Sequence, residues 1–292
     1  MNKILSFVFV FVLVVVVLAG VHQAAASAYT DAVLAENPLF YWNFDEAAGN
    51  AQNLGSVGNA PANQLAPQNS ATRGASTSTA GGVSLGLAAE FDGQTREPVA
   101  GGAVLDDCRF YAADLDGTDV GDQWALEFWA KQDDLHYNRV LDQYSTVAPS
   151  ISHSPMITMR NPAGNGLTMY THGGWDTGIT PLDTAWHHYV LVNDRTPGVN
   201  SGDAYWFQDG VLVTTWVNTV SAASRFTLVD TSIGAASLVD DWGADSVFDG
   251  KIDEVAVYNL DGETDLEAAG LRLAQHYFIE ESATPGSMIY GK

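Results

Sequence analysis

The sequence predicts an all-β protein built from two antiparallel sheets, and three observations carry that reading. First, Phe248-Asp-Gly-Lys-Ile-Asp-Glu-Val-Ala-Val-Tyr258 sets Ile252, Val255, Val257 and Tyr258 around Asp253, Glu254 and Ala256. That is a strand with one mainly apolar face, entered through an Asp-Gly turn. Second, Asp209-Gly210 separates two runs of β-branched and aromatic residues, the signature of a tight type I′ hairpin. Third, short strand patterns recur at intervals of roughly 10–20 residues between Gly, Asp and Pro turns, as in a sandwich or barrel.

The elements follow in order. Phe40-Tyr-Trp-Asn-Phe44 is a first strand after Pro38. Residues 49–82, rich in Gly, Ala, Asn, Ser and Thr, read as a long loop with at most one short strand. Ala88–Phe91 runs into the turn Asp92-Gly93. In Trp124–Ala130 the alternation puts Trp124, Leu126, Phe128 and Ala130 on one face and Glu127 and Trp129 on the other. Met156–Met159 and Leu167–Tyr170 flank the Pro/Gly loop Asn161–Gly166. Trp186–Val192 is a further strand, and within it His187 and His188 point to opposite faces, so they cannot chelate one metal together. Ala204–Gln208 and Val211–Val217 form the hairpin around Asp209-Gly210. Phe226–Val229 and Ser232–Gly234 precede the closing strand. The one helix expected runs from Thr264 to about Tyr277, with Thr264 and Glu267 as a capping box.

Composition bounds the rest. An apolar run from Ile4 to Val21 ends in Ala26-Ser27-Ala28, so residues 1–28 read as a signal peptide with Tyr29 the mature N-terminus; an uncleaved anchor is the rival reading. The expected localisation is therefore extracellular or cell-envelope. Residues 29–278 form one domain, and residues 279–292, with Pro285-Gly286, a polar tail. A formal charge of −23 argues against nucleic acid or an anionic membrane surface as partner. With Cys108 the only cysteine, there is no internal disulfide, and this thiol reads as a small buried residue.

Six segments, taken together, resemble one family. Val33–Glu46, Phe91–Gly93, Leu126–Trp129, Trp186–Val190, Phe207–Val211 and Phe248–Tyr258 occur in the order found in bacterial LamG-like jelly-roll domains of the concanavalin A-like lectin/glucanase superfamily. The resemblance spans about residues 31–278. It implies a two-sheet antiparallel jelly-roll sandwich with a short C-terminal helix, usually without catalysis, in extracellular carbohydrate binding or adhesion. It also implies a structural calcium, with Asp253 on the last strand as a ligand and the N-terminal strand near Asp45 completing the shell.

Sugar recognition needs exposed aromatic faces with a few placed polar groups. His172-Gly-Gly-Trp-Asp176 offers Trp175 with Asp176 and His172 on a loop, and Trp242 lies in the acidic loop Asp240–Asp245. Trp42, Trp124, Trp186 and Trp206 read as core. The acidic run Asp114–Asp122 reads as a solvated loop, since its spacing is not that of an EF-hand. No catalytic residue is identified: Glu263-Thr-Asp-Leu-Glu267 is one residue short of the Glu-x-Asp-x-x-Glu pattern of laminarinase-type enzymes and sits at a helix start, where acids cap. The first functional expectation is a secreted, non-catalytic domain recognising a polysaccharide or extracellular glycoconjugate. A structural or adhesive envelope protein is the alternative, and a divergent polysaccharide-degrading enzyme comes third.

Overall fold

The computed structural model describes residues 28–69, 71–74, 85–93, 108–112, 115, 118–134, 138–144, 156–159, 167–170, 174–176, 183–194, 202–218, 226–228, 230–235 and 247–279. The chain begins with a helix, α1 (residues 28–35), followed by β1 (Phe40–Trp42), β2 (Ala66–Gln68), β3 (Thr72–Gly74), β4 (Ala88–Asp92), β5 (Arg109–Ala112) and β6 (Thr118–Gly121). Then come β7 (Gln123–Gln132), β8 (Asn138–Tyr144), β9 (Met156–Met159), β10 (Leu167–Tyr170), β11 (Gly174–Asp176) and β12 (His187–Asp194). The last are β13 (Gly202–Gln208), β14 (Val211–Asn218), β15 (Phe226–Leu228), β16 (Asp230–Ile233), β17 (Asp249–Asn259) and helix α2 (Leu266–Ala274), which tightens into a 3-10 turn over Gln275–Phe278.

The expected all-β sandwich is what these residues build. One sheet has eight strands in the order β14-β13-β12-β7-β17-β4-β3, with β1 also paired to β17. The other has seven, in the order β11-β10-β9-β8-β16-β5-β2, and β15 and β6 form a small separate ribbon. The described pairs are antiparallel. The closing strand is central: β7 lies along one side of it, and β4 and then β1 lie along the other. Its Ile252, Val255 and Val257 enter the core between the sheets, with Trp42, Trp124, Leu126, Phe128 and Trp206. At the β13–β14 hairpin Asp209 and Gly210 both hold positive φ (51° and 80°), the type I′ requirement.

Several expectations need correction. Residues 49–69 are not a bare loop. Ala51 pairs with Leu65, a 3-10 turn spans Pro61–Asn63, and β2 and β3 each join the edge of a sheet. The helix cap is Asp265, whose carboxylate accepts from Ala268 N at 2.9 Å; it replaces the Thr264/Glu267 box and shortens the helix. Part of the acidic run is strand, since β6 pairs with β15. Trp186 is half-buried, just ahead of β12, and packs on the outer apolar cluster. His187 and His188 point to opposite faces as expected; His188 is fully buried and His187 only partly so. Cys108 is buried as expected.

The outer face of the eight-stranded sheet is the main surprise. Glu127 and Trp129 do face away from the core, yet both are buried. They sit in a second apolar cluster with Tyr29 and Val33 from α1, Val190, Val192, Phe207 and Tyr258 from the sheet, and Leu266, Ala269 and Leu273 from α2. The two terminal helices roof this face. α2 approaches so closely that a Cβ on Gly270 would stand 2.4 Å from the Phe207 ring and 2.7 Å from Val192.

A charge in this cluster needs donors on every side. Glu127 has four. Its Oε1 accepts from Tyr29 Oη (2.9 Å), His188 Nε2 (2.9 Å) and His276 Nδ1 (2.9 Å), and its Oε2 from Tyr258 Oη (2.5 Å). Burial alone raises a carboxyl pKa; here the His276 charge and the hydrogen bonds from His188 and His276 outweigh it, and Glu127 lies well below the usual range. Burial likewise lowers the His276 pKa, but the facing Glu127 reverses the effect and raises it. The surface ties Arg272–Glu36 (2.8 Å) and Arg272–Glu263 (3.1 Å) are half-exposed and add little.

Two predictions follow from this roof. Gly270→Ala gains about 1 kcal/mol of helix propensity but overpacks against Phe207, at about 1–3 kcal/mol, so chemical denaturation should show a net loss of stability; a gain would mean that α2 can lift off the sheet. The pH dependence has a definite sign. Glu127, with its pKa lowered from 4.5, contributes stability above that value that is lost as pH falls through the folded pKa; His276, raised from 6.5, contributes stability below that value that is lost as pH rises through the folded pKa. Thermal melting should therefore be most favourable between about pH 4.5 and about pH 6.5, and Glu127→Gln should lower stability by about 3–5 kcal/mol and flatten the profile. An unchanged profile in the variant would dismiss the carboxylate as its origin.

Candidate functional site

The outer face of the seven-stranded sheet carries polar side chains, and its register shows which ones. One rung across the strands, Pro67–Phe110–Ile233–Leu141–Ile157–Met169–Trp175, contains four fully buried core residues, Phe110, Ile233, Leu141 and Ile157. The adjacent rungs point the other way. These are Ala66–Tyr111–Ser232–Asp142–Met156–Tyr170 and Arg139–Thr158–Thr168–Asp176. A bulge at Val140 lets Arg139 and Asp142 share that face.

The outward rungs are polar and largely buried. Arg139 Nη1 donates to Asp142 Oδ2 at 3.1 Å, and both side chains are almost wholly out of solvent. Arg139 Nε, Thr158 Oγ1 and Ser232 Oγ are buried with no hydrogen-bond partner. Buried polar atoms in a folded protein are nearly always satisfied, and the sealed sheet has such atoms as well, Trp129 Nε1 and His188 Nδ1. At the β5 end, Arg109 Nε donates to Gln68 Oε1 (2.8 Å), and its guanidinium lies 4.4 Å from the centre of the Tyr111 ring. Tyr111 Oη donates to Asp230 Oδ1 at 2.9 Å; burial, then that bond and the Asp230 charge, push its pKa up to about 12. Asp142 and Asp230 are diagonal neighbours across β8 and β16, about 7–8 Å apart by strand geometry.

The residues expected from sequence are distributed unevenly. Trp175 and Asp176 lie on the strand β11 rather than a loop; their side chains are outside the described residues, but register sets Trp175 in the core rung and Asp176 in a polar one. His172 and Trp242 lie outside the described residues. Asp253 and Asp45 come to one seam. β4 and β1 meet β17 on the same side, Ala89 opposite Ile252 and Trp42 opposite Val255, and Asp253 and Glu254 fall in the gap. A bulge there holds Glu254 at φ 54°, and Phe44 holds φ 56°. Asp253 Oδ1 accepts from Glu254 N, Glu254 Oε2 accepts from Tyr41 Oη, and Asp45 accepts from Leu87 N (2.8 Å) and Asn43 Nδ2 (3.0 Å).

These are hard oxygen donors of the kind Ca²⁺ takes. No group of three His, Cys, Asp or Glu side chains among the described residues could hold a metal, so backbone carbonyls would have to complete any shell. Asp253 would supply the buried anionic ligand and Asp45 the exposed one.

Tyr111, Ser232, Thr158, Arg139 and Asp142 were not picked out from the sequence. The available signal was alternation: Phe110, Leu141, Ile157 and Ile233 are each flanked by a polar or aromatic neighbour that must face outward.

Comparison with known proteins agrees with this architecture. Among solved structures, domain 4 of AbnA, an extracellular GH43 arabinanase from Geobacillus stearothermophilus in complex with arabinotriose, superposes with a TM-score of 0.50 at 18% identity, covering 82% of this chain and 98% of that one. The binding domain of Paraclostridial Mosquitocidal Protein 1 gives 0.51 at 9% identity, over 83% of this chain and 52% of that one. An endo-β-1,4-glucuronan lyase from the fungus Trichoderma reesei gives 0.46 at 17% identity, over 79% and 99%. At these identities the first two show a shared fold and no more. No curated protein matches. A family profile, Laminin_G_3, matches residues 108–261. Matched over more than half its length, the chain belongs to the concanavalin A-like lectin/glucanase superfamily.

Proposed function

We propose that the protein is a secreted, non-catalytic carbohydrate-binding domain. The observation that supports this most is its family: the match over residues 108–261 is to the concanavalin A-like lectin/glucanase superfamily. The arabinotriose complex of the AbnA domain is in keeping with this reading.

A glycan array and titration calorimetry test it. At least one glycan should be retained on the array and bind by calorimetry; an array with no bound glycan would favour the adhesive role. A second reading is catalysis by Asp142 and Asp230, which lie at diagonal positions across β8 and β16. Asp142 is already committed to Arg139, so incubation with polysaccharides should release no reducing ends. Release that Asp142→Asn and Asp230→Asn both abolish would establish a hydrolase.

Calcium is proposed as a structural ion at the Asp253–Asp45 seam. A ligand that binds only the folded form raises the melting temperature, so EGTA should lower it and Asp253→Asn should remove the difference. Identical melting curves with EGTA and with saturating Ca²⁺ would exclude the ion.

A further inference from the structure

We infer that the protein pairs with a second copy of itself through the outer edge of β14, joining the two eight-stranded sheets across a two-fold axis. The inference is independent of the carbohydrate reading. Sheet edges present unpaired backbone N–H and C=O groups that attract strands of other chains, and proteins commonly blunt them with short strands, charge or proline. Of the four strands at which the two sheet orders end, three are blunted in this way. β3 has three residues and carries Arg73, β2 has three and carries Pro67, and β11 has three and carries Asp176. β14 has eight residues, Val-Leu-Val-Thr-Thr-Trp-Val-Asn, with neither charge nor proline. A bulge interrupts it at Val213, but residues 214–218 pair regularly with β13 on the inner side. Among the described residues no strand lies on its outer side.

The surface beside this edge is apolar. Val211 is 61% exposed and Val213 45%. Next to them lies the flank of α2 that faces away from α1. Arg272 is drawn toward the end of α1 by Glu36, and Leu271, about 100° round the helix from it, is exposed on the other flank. Phe278, two turns further on, is exposed as well, and its ring packs so tightly on Gly210, in the β13–β14 turn, that a Cβ there would overlap it. Edge strand and helix flank thus offer backbone pairing and apolar area to the same partner.

Charge identifies that partner. Residues 210–224 contain no Asp, Glu, Lys, Arg or His, in a chain whose formal charge is −23. A basic partner would be met by acidic side chains. A neutral strip is where two strongly acidic molecules can meet without setting like charges against each other. Antiparallel pairing of β14 with its own copy is self-complementary, because each strand presents the other with the same run of outward N–H and C=O groups.

Sedimentation equilibrium of the mature protein, at loadings from about 1 to about 100 μM, tests this. The protein should be dimeric, and because both copies are acidic the dimer should tighten several-fold as salt rises from about 20 to about 200 mM. Thr215→Lys, at an exposed position of β14, sets like charges against each other across the axis and should weaken the dimer at least tenfold while the circular dichroism spectrum stays native. Leu271→Glu, on the helix flank, should weaken it several-fold, and if either variant fails to fold the other decides. A dimer that neither substitution weakens would place the interface elsewhere and overturn the inference. So would a dimer that loosens with added salt, as one held by ion pairs does. A chain that is monomeric throughout would also overturn it and leave the β14 edge to an extended segment of a different protein.

Discussion

The fold turns on one buried carboxylate. Glu127 projects from the middle of a strand into an apolar layer, where an isolated charge would be costly, and it is tolerated because four donors from four elements converge on it. Tyr29 comes from the first helix, His276 from the last turn, and His188 and Tyr258 from strands on either side. Removing the carboxylate would leave two imidazoles and two hydroxyls facing one another without an acceptor. The same group explains why the terminal helices lie flat on the sheet: their apolar residues supply the area, and the carboxylate supplies the direction.

That arrangement makes the sandwich two-sided in a functional sense. A sheet with one face on the core can leave its other face to solvent or cover it. Here one sheet is covered by apolar side chains of two helices around a hydrogen-bonded carboxylate, and the other carries polar side chains that are themselves buried. The difference lies in what flanks the core positions. Val190 and Val192 alternate with core residues on β12, and so do Thr158 and Ser232 on β9 and β16. The first pair makes an apolar surface for helices, the second a polar layer.

Much of this was legible in the sequence, and the rest was hidden for identifiable reasons. The closing strand, the Asp209-Gly210 hairpin and the alternation of Trp124–Ala130 were readable because period two and turn chemistry are local. The same alternation put Glu127 and Trp129 on the face away from the core, but it could not show that this face is buried, because the cover comes from residues about a hundred positions away in either direction. Tyr29 marked the edge of a leader and so did not register as an anchor. β2 and β3 are three-residue edge strands in a Gly- and Asn-rich segment, held by backbone pairing that leaves no side-chain pattern. The cap moved by one residue because Asp265 takes up the N-cap position and accepts from Ala268 N, where Thr264 was expected to accept from Glu267 N. At the candidate site, tryptophan drew attention because it is rare. Register shows that the more informative residues were the small hydroxyls alternating with Ile157 and Ile233, which in a sequence look like any solvated surface.

Both terminal helices lie on the same side of the sandwich, and this has a geometric consequence. The described chain enters at residue 28 and leaves at residue 279 across the sealed sheet, opposite the polar rungs. Any tether joined to either end, whether a membrane segment, a neighbouring module or an experimental support, would attach at the back of the molecule. The opposite sheet would then be turned away from the tether, and immobilisation through either end should leave that side of the molecule clear of the support.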